Sequence, residues 1–323
     1  MHPYKATTRD WLVYTLLGII ADTLDTVLTA ISPPKRPQRS FLPSDIDNLS
    51  NAELLELRKS APKLHPHAGV VRLTSGTVAK PSQDMDEDAP DPSEANALDR
   101  VFSETTIPVP RVRRVIKDEW NFMIVMDYID GPTLAQVWPT LSTWRKCLVA
   151  FTLRRYVRQL RRLQAPPGAP PGPLTVQGPA RICESPVFGA VQSHRGPFAS
   201  YAELSAFFND RHRRALDARN VPQDDPMRRD LFDDSKPLVL THQDINLRNI
   251  VVGEGGRLWL IDWAWAGYYP PWFEYVAMET QNENARVSGT DDEFWKMLIP
   301  FICGPYFRQY RWLAMMSRAL YWI

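Results

Sequence analysis

LTHQDINLRNIVVGEGGRLWLIDWAW, residues 240–265, places one histidine, two aspartates and one asparagine at the joints of a short hairpin. LVLTH reads as a strand end, NIVV and RLWLI as two strands, and GEGG as the turn that joins them. His242, Asp244 and Asn249 therefore fall in the loop before the hairpin, and Asp262 falls just after it. A hairpin returns both of its ends to one edge, so Asp244, Asn249 and Asp262 converge despite their separation in sequence. One carboxylate near a hydroxyl, with a carboxylate and an amide oxygen for a hard cation, is the set that phosphoryl transfer needs.

Outward from this hairpin the chain divides by texture. Upstream, GVVRLTSGTVAK, VPRVRRVIKD and NFMIVMDYI are short β-like runs that predict a small sheet. Between the first two, PSQDMDEDAPDPSE is an acidic, proline-containing loop, and Ala95, Leu98, Val101 and Phe102 then recur at helical spacing. Beyond Gly131 the segments TLAQVW, STWRKCLVAFTLRRYVRQLRRLQ and SYAELSAFFNDRHRRALDARN carry apolar stripes between basic faces, so a second, helical lobe is expected. SNAELLELRKSA has Ser50 and Glu53 at capping-box spacing and predicts a short helix.

The composition excludes several classes. The 323 residues, 44% hydrophobic and 23% charged, suit a globular chain rather than a disordered or multi-span one. The net charge of +1 supplies no global field for nucleic acid. Cys147, Cys183 and Cys303 have no CxxC spacing and read as buried free thiols of a reducing compartment, which sets the expected location as cytoplasmic. WLVYTLLGII is too short to span a bilayer. It continues through ADTLDTVLTAIS with Leu16, Ile20, Leu24, Val27, Leu28 and Ile31 near helical spacing, which predicts an amphipathic helix docked on the domain surface in preference to one on a membrane.

The loop His242-x-Asp244-x-x-x-x-Asn249, followed by Ile261-Asp262-Trp263, resembles the catalytic loop and metal segment of the protein-kinase-like fold. The version here is similar to the aminoglycoside phosphotransferase family, particularly its fungal members. Further matches lie in order: TVAK ending at Lys80, EANAL from Glu94, IPVPRV from Ile107, IVMDYIDGPTL from Ile124, GPFASYAEL from Gly196 and AGYYPPWFEY from Ala266. The resemblance covers about residues 70–280. It implies ATP and Mg²⁺ as cofactors and a small-molecule hydroxyl as acceptor. Asp244 would be the catalytic base, and Asn249 and Asp262 would hold Mg²⁺. Lys80 would pair with the α- and β-phosphates and be held by Glu94, for which Glu87 and Asp91 compete. Met126, Tyr128 and Ile129 would belong to the hinge whose backbone receives adenine, and His242 would pack the loop.

The chain departs from protein kinases in ways that favour a small-molecule kinase. No G-x-G-x-x-G precedes Lys80, and LTSGT, with Gly76, is the candidate nucleotide-covering loop. Trp263 and Ala264 follow Asp262 in place of Phe and Gly, Asn246 stands where lysine contacts the γ-phosphate, and no A-P-E is evident. The expected architecture is α+β and bilobal: residues 1–65 as a helical extension and connector, 66–128 as a β-rich first lobe, 129–323 as a mainly helical second lobe. Glu274, Asp233 and Asp234 are candidates to receive a cationic acceptor, and the rings of WAWAGYYPPWFEY either line a pocket or pack the core. Two other functions stay open: a scaffold that keeps the fold without transfer, and a metabolite-binding protein that ignores ATP.

Overall fold

The computed structural model describes residues 6–31, 43–65, 69–86, 89–118, 121–176, 178–189, 191, 195–317 and 320. Lys5, the stop at Pro33 and Pro34, the connector up to residue 42, and Glu87 lie outside them. The architecture is α+β with two lobes. The first lobe is an antiparallel sheet of order β1-β2-β4-β3, formed by β1 (Val71–Arg72), β2 (Thr77–Pro81), β3 (Val112–Asp118) and β4 (Asn121–Asp127). Its register sets Thr77 against Asp127 and Lys80 against Ile124.

The two-residue alternation of the strands gives this sheet two apolar faces. Val78, Ile124 and Met126 face the main core together with Leu98 and Val101 of α3 (Ser93–Glu104). Val71, Ala79, Ile116, Met123 and Val125 form a second core with Ile46 and with Leu54 of α2 (Asn51–Ser60). The capping box on α2 is formed, Ser50 Oγ accepting from the Glu53 N–H and Glu53 accepting from the Ser50 N–H. Residues 1–65, expected as one extension, therefore divide: α2 covers the back of the sheet, whereas α1 (Thr8–Ile31) rests on the second lobe.

The second lobe is built from α4 (Leu134–Val137), α5 (Thr143–Leu160), α6 (Tyr201–Asp217), α7 (Phe273–Val287), α8 (Glu293–Cys303) and α9 (Phe307–Met315). A three-stranded sheet runs in the order β5 (Gly172–Pro173), β9 (Gly267–Tyr269), β6 (Val239–Thr241), and the hairpin is β7 (Ile250–Val252) with β8 (Leu258–Leu260). The proline-rich loop at 165–173 ends in β5 and so packs against β9. Aromatic stacking closes this core: Phe208 on Phe232 at 5.3 Å and Tyr269 on Phe273 at 5.5 Å between centroids. Of the rings in WAWAGYYPPWFEY, Trp263, Tyr268, Tyr269, Trp272 and Phe273 are all buried, so core packing takes them and only Trp265 is partly exposed.

Two expectations are corrected here. The stripe Leu16, Ile20, Leu24, Val27, Leu28 and Ile31 of α1 faces outward, not onto the domain. Ion pairing sets that rotation: Asp22 lies 2.7 Å from Arg154, and Asp25 lies 2.5 Å from Arg155 and 2.9 Å from Arg158, all on α5. Small residues, Gly18 and Ala21, are the only fully buried ones on α1, and a Cβ at Gly18 would stand 2.6 Å from the Arg154 guanidinium. The second correction is that Cys147 is exposed, while Cys183 and Cys303 are buried thiols as expected.

Candidate active site

Lys80 sits near the end of β2 with its side chain buried against the second lobe. Its Nζ lies 2.8 Å from the Glu94 carboxylate on α3 and 2.6 Å from Asp262 Oδ1, which follows β8. Burial alone would lower the Lys80 ammonium, but the two carboxylates hold it above its ordinary range. Burial works to raise Asp262 as well, and Lys80 outweighs it, so that carboxyl is held low. Glu94 is displaced upward by burial against the pull of Lys80. Glu94 also accepts the Trp263 N–H at 3.1 Å, so one buried carboxylate joins α3, the lysine strand and the Asp262 turn. Asp91, a competitor for this role, pairs with Arg181 instead.

Asp244 reaches the same edge of the hairpin from the loop that precedes β7. Its Oδ2 accepts from Asn249 Nδ2 at 2.6 Å and its Oδ1 from Asn246 Nδ2 at 2.8 Å. Burial and the neighbouring Asp262 charge push its carboxyl up to about 7, against those two bonds. Asn249 spends its amide nitrogen on Asp244, which leaves its amide oxygen as the donor available to a cation. Asp262 has φ +63° and a side chain that is partly exposed, with one carboxylate oxygen beyond the lysine contact. Two hard oxygen donors at a locus of excess negative charge fit a magnesium ion that keeps waters and phosphate oxygens as its other ligands.

The loop carrying Asp244 is held from below. His242 is fully buried, its Nδ1 accepts the Asp244 N–H at 3.1 Å, and its Nε2 lies 3.1 Å from the Ile261 carbonyl. Burial pulls its pKa to about 4, so the ring is neutral and donates from Nε2. Glu274 at the start of α7 accepts the N–H groups of His242 at 2.6 Å and Gln243 at 3.0 Å, and burial pushes it up to about 7. Glu274 is therefore a buried support of the loop and not a receptor for an acceptor molecule. Asp233 accepts from Ser235 and Gln309, and Asp234 from Ser205, so these two are also engaged in local structure. The role of Glu274 is missed by sequence reasoning because nothing local marks a carboxylate 31 and 32 residues downstream as the partner of two backbone amides.

One further expectation changes. LTSGT is the turn between β1 and the lysine strand, and the pairing of Thr77 with Asp127 puts it at the hinge end of the sheet. At about 3.4 Å per residue it stands roughly 10 Å from Lys80 and does not cover a phosphate held there. The Gly76 carbonyl accepts the Tyr128 N–H at 2.8 Å, so that hinge amide is engaged; the Tyr128 ring lies under Arg72, and Met126 is buried in β4. Ile129 follows in the half-buried segment leading to Gly131.

Among the described residues of the acidic stretch before α3, the carboxylates are engaged away from Lys80, and Glu94 keeps its contact with that lysine. Asp84 accepts the Ser93 N–H at the start of α3, Asp86 accepts the Ile182 N–H, and Asp84 and Asp91 flank the buried Arg181. Glu184 accepts the Met85 N–H at 2.9 Å. The loop is thus a strap that ties the first-lobe helix to the second lobe.

A two-lobed fold with a lysine–glutamate pair in its sheet lobe and an Asp–Asn–Asp set around a hairpin defines a kinase-like phosphotransferase. The model of the phosphotransferase enzyme family, APH, matches residues 69–298, well over half of the chain. The chain belongs to this family. A comparison with curated proteins finds no match. Among solved structures, a mutant of aminoglycoside 2'-phosphotransferase-IIIa in complex with GDP is 12% identical, with 93% of this chain and 87% of that one covered and a TM-score of 0.46. Spectinomycin phosphotransferase APH(9)-Ia with ADP and spectinomycin is 16% identical over 77% and 76% at 0.44. Aminoglycoside phosphotransferase APH(3'')-Id from Streptomyces rimosus with ADP and streptomycin is 17% identical over 82% and 97% at 0.41.

Proposed function

We propose that this phosphotransferase moves the γ-phosphoryl group of ATP to a hydroxyl of a small molecule. The observation that carries the reading is the convergence of Lys80, Glu94 and Asp262 on one side of the hairpin with Asp244 and Asn249 on the other. Asp244, its carboxyl pushed up by burial and by the Asp262 charge, is placed to act as the base, and its two amide donors aim it. Lys80 is a fixed cation for phosphate oxygens, kept charged by Glu94. Asn249 and Asp262 would hold Mg²⁺, which when bound neutralises the phosphates. The gain comes from position and charge rather than covalent chemistry.

A second reading, binding of a small molecule in the cleft without ATP, has one observation in its favour: the Tyr128 amide, a candidate to receive adenine, is already taken by Gly76. Thermal unfolding with MgATP separates the two, since a ligand of the native state raises the midpoint. For the first reading, MgATP raises the midpoint, Asp262→Asn abolishes the rise, and Asp244→Asn keeps it while slow ATP hydrolysis falls about 10²-fold or more. No shift at saturating MgATP would remove ATP from the assignment. A shift without hydrolysis, or with any acceptor from a panel of hydroxylated small molecules, would leave the scaffold reading.

A further inference from the structure

The turned-out face of α1 is strongly apolar. Leu12, Leu16, Ile20, Leu24, Val27 and Ile31 are each exposed by 49–77%. At about 100° per residue the exposed aliphatic positions sweep roughly half of the helix circumference. Arg9, three residues before Leu12 in the first turn, is the one charged side chain on that arc, at its N-terminal end. The hydroxyls of Thr15, Thr23 and Thr26 donate back to the helix carbonyls of Trp11, Ile19 and Asp22, so these polar groups ask nothing of their surroundings. The face continues across the body: Val13 and Leu17 of α1, Trp144, Leu148 and Phe151 of α5, and Met297 of α8 line an apolar groove of about 530 Å³. Trp144 is 70% exposed at its mouth.

Charge around the face is one-sided. Asp22 and Asp25, two of the three acids of α1, are turned inward to the α5 arginines. The third, Asp10, bonds Thr7 at the helix start. Arg9 and Arg145 are exposed at the rim, α5 contains no acidic residue, and the sequence after Asp25 carries Lys35, Arg36 and Arg39 before the next acid at Asp45. The run Asp291, Asp292 and Glu293 at the start of α8, one turn before the groove residue Met297, is the opposing charge on that side.

We propose that the outer half of α1, with the adjoining ends of α5 and α8, docks on the surface of an anionic bilayer. The helix lies in the plane of the interface with its aliphatic arc in the acyl boundary and its basic rim among the headgroups. A convex half-cylinder of Leu, Ile and Val whose threonine hydroxyls are satisfied within the helix is a shape a fluid apolar phase covers and a folded partner meets along only one stripe. By length and composition α1 is also able to cross a bilayer. Crossing would take Asp22 and Asp25 off their arginines into hydrocarbon, whereas lying flat keeps every one of these ion pairs. The cytoplasmic leaflet, which carries the anionic lipids, is the matching surface.

The test is flotation of the full chain with vesicles of phosphatidylcholine containing phosphatidylserine, against vesicles of phosphatidylcholine alone, with sedimentation velocity run in parallel. The wild type floats with the anionic vesicles. Leu16→Glu/Ile20→Glu lowers the bound fraction about tenfold or more, with unchanged circular dichroism and melting midpoint because both side chains are solvent-facing. A wild type that stays at the bottom of the gradient overturns the proposal. So does a double variant that floats equally well, a dimer dissolved by the variant while vesicles are ignored, or vesicle-bound protein that resists carbonate extraction as a spanning helix would.

Discussion

Arg181→Met tests whether the acidic strap holds the first-lobe helix in place. Arg181 is 3% exposed and donates to Asp84 Oδ1 at 3.4 Å, to the Asp91 carbonyl at 2.7 Å, to Asp91 Oδ1 at 2.5 Å and to Thr175 Oγ1 at 3.2 Å. The side chain of Asp84 is 5% exposed and that of Asp91 22%. Methionine fills much of the arginine's volume, so the loss is chiefly electrostatic: one buried and one nearly buried carboxylate left without their cation. Removing one partner of a buried pair costs about 3–5 kcal/mol. The partial exposure of Asp91 places this case near about 3 kcal/mol, a fall in melting midpoint of about 4–5 °C for a chain of this size. Arg181→Met/Asp84→Asn/Asp91→Asn should recover most of that loss, because no uncompensated charge stays buried. Thermal unfolding followed by circular dichroism measures both. A cost below about 1 kcal/mol for the single variant, or a triple variant no more stable than the single, would refute the strap.

Gly131→Ala is expected to destabilise by about 3 kcal/mol or more, since φ is +142° and a Cβ would lie 2.3 Å from the Val252 carbonyl of the hairpin; urea unfolding checks it, and a loss below about 1 kcal/mol contradicts it. The Glu184 carboxyl gives a pH signature. Burial, then repulsion from Asp84, pushes it up to about 8 from 4.5, so the native state binds a proton that the unfolded chain has released between those values. Its contribution to stability is therefore fully present below pH 4.5 and is lost as pH rises through about 8. Glu184→Gln keeps an acceptor for the Met85 N–H and removes the titration. Its stability relative to wild type should climb with pH across that window by about 4 kcal/mol at the upper limit, and a gap that stays constant between pH 5 and pH 8 would contradict the assignment.

The hairpin was legible in the sequence because everything that makes it is local: two apolar triplets, a glycine turn, and polar residues at the joints. Lys80 and Glu94 were legible as residue types in order, but their meeting at 2.8 Å depends on α3 being seated, and that rests on Arg181, about 90 positions away in a segment with no periodicity. Charge pairs between remote segments leave no spacing for a reader to follow. The same cause reverses α1. Hydrophobic periodicity assigns the leucine and isoleucine stripe to the protein body, yet Asp22 and Asp25 meet three arginines on one face of α5, and the helix can satisfy only one of its two faces there. Taking the aspartates inward joins five charged side chains, three of them with long apolar stems, and lets Gly18 and Ala21 approach closely. Taking the leucines inward would leave the α5 arginines facing an apolar surface. An apolar stripe states only that a helix has an apolar neighbour, and the ion pairs of α1 place that neighbour outside the folded chain.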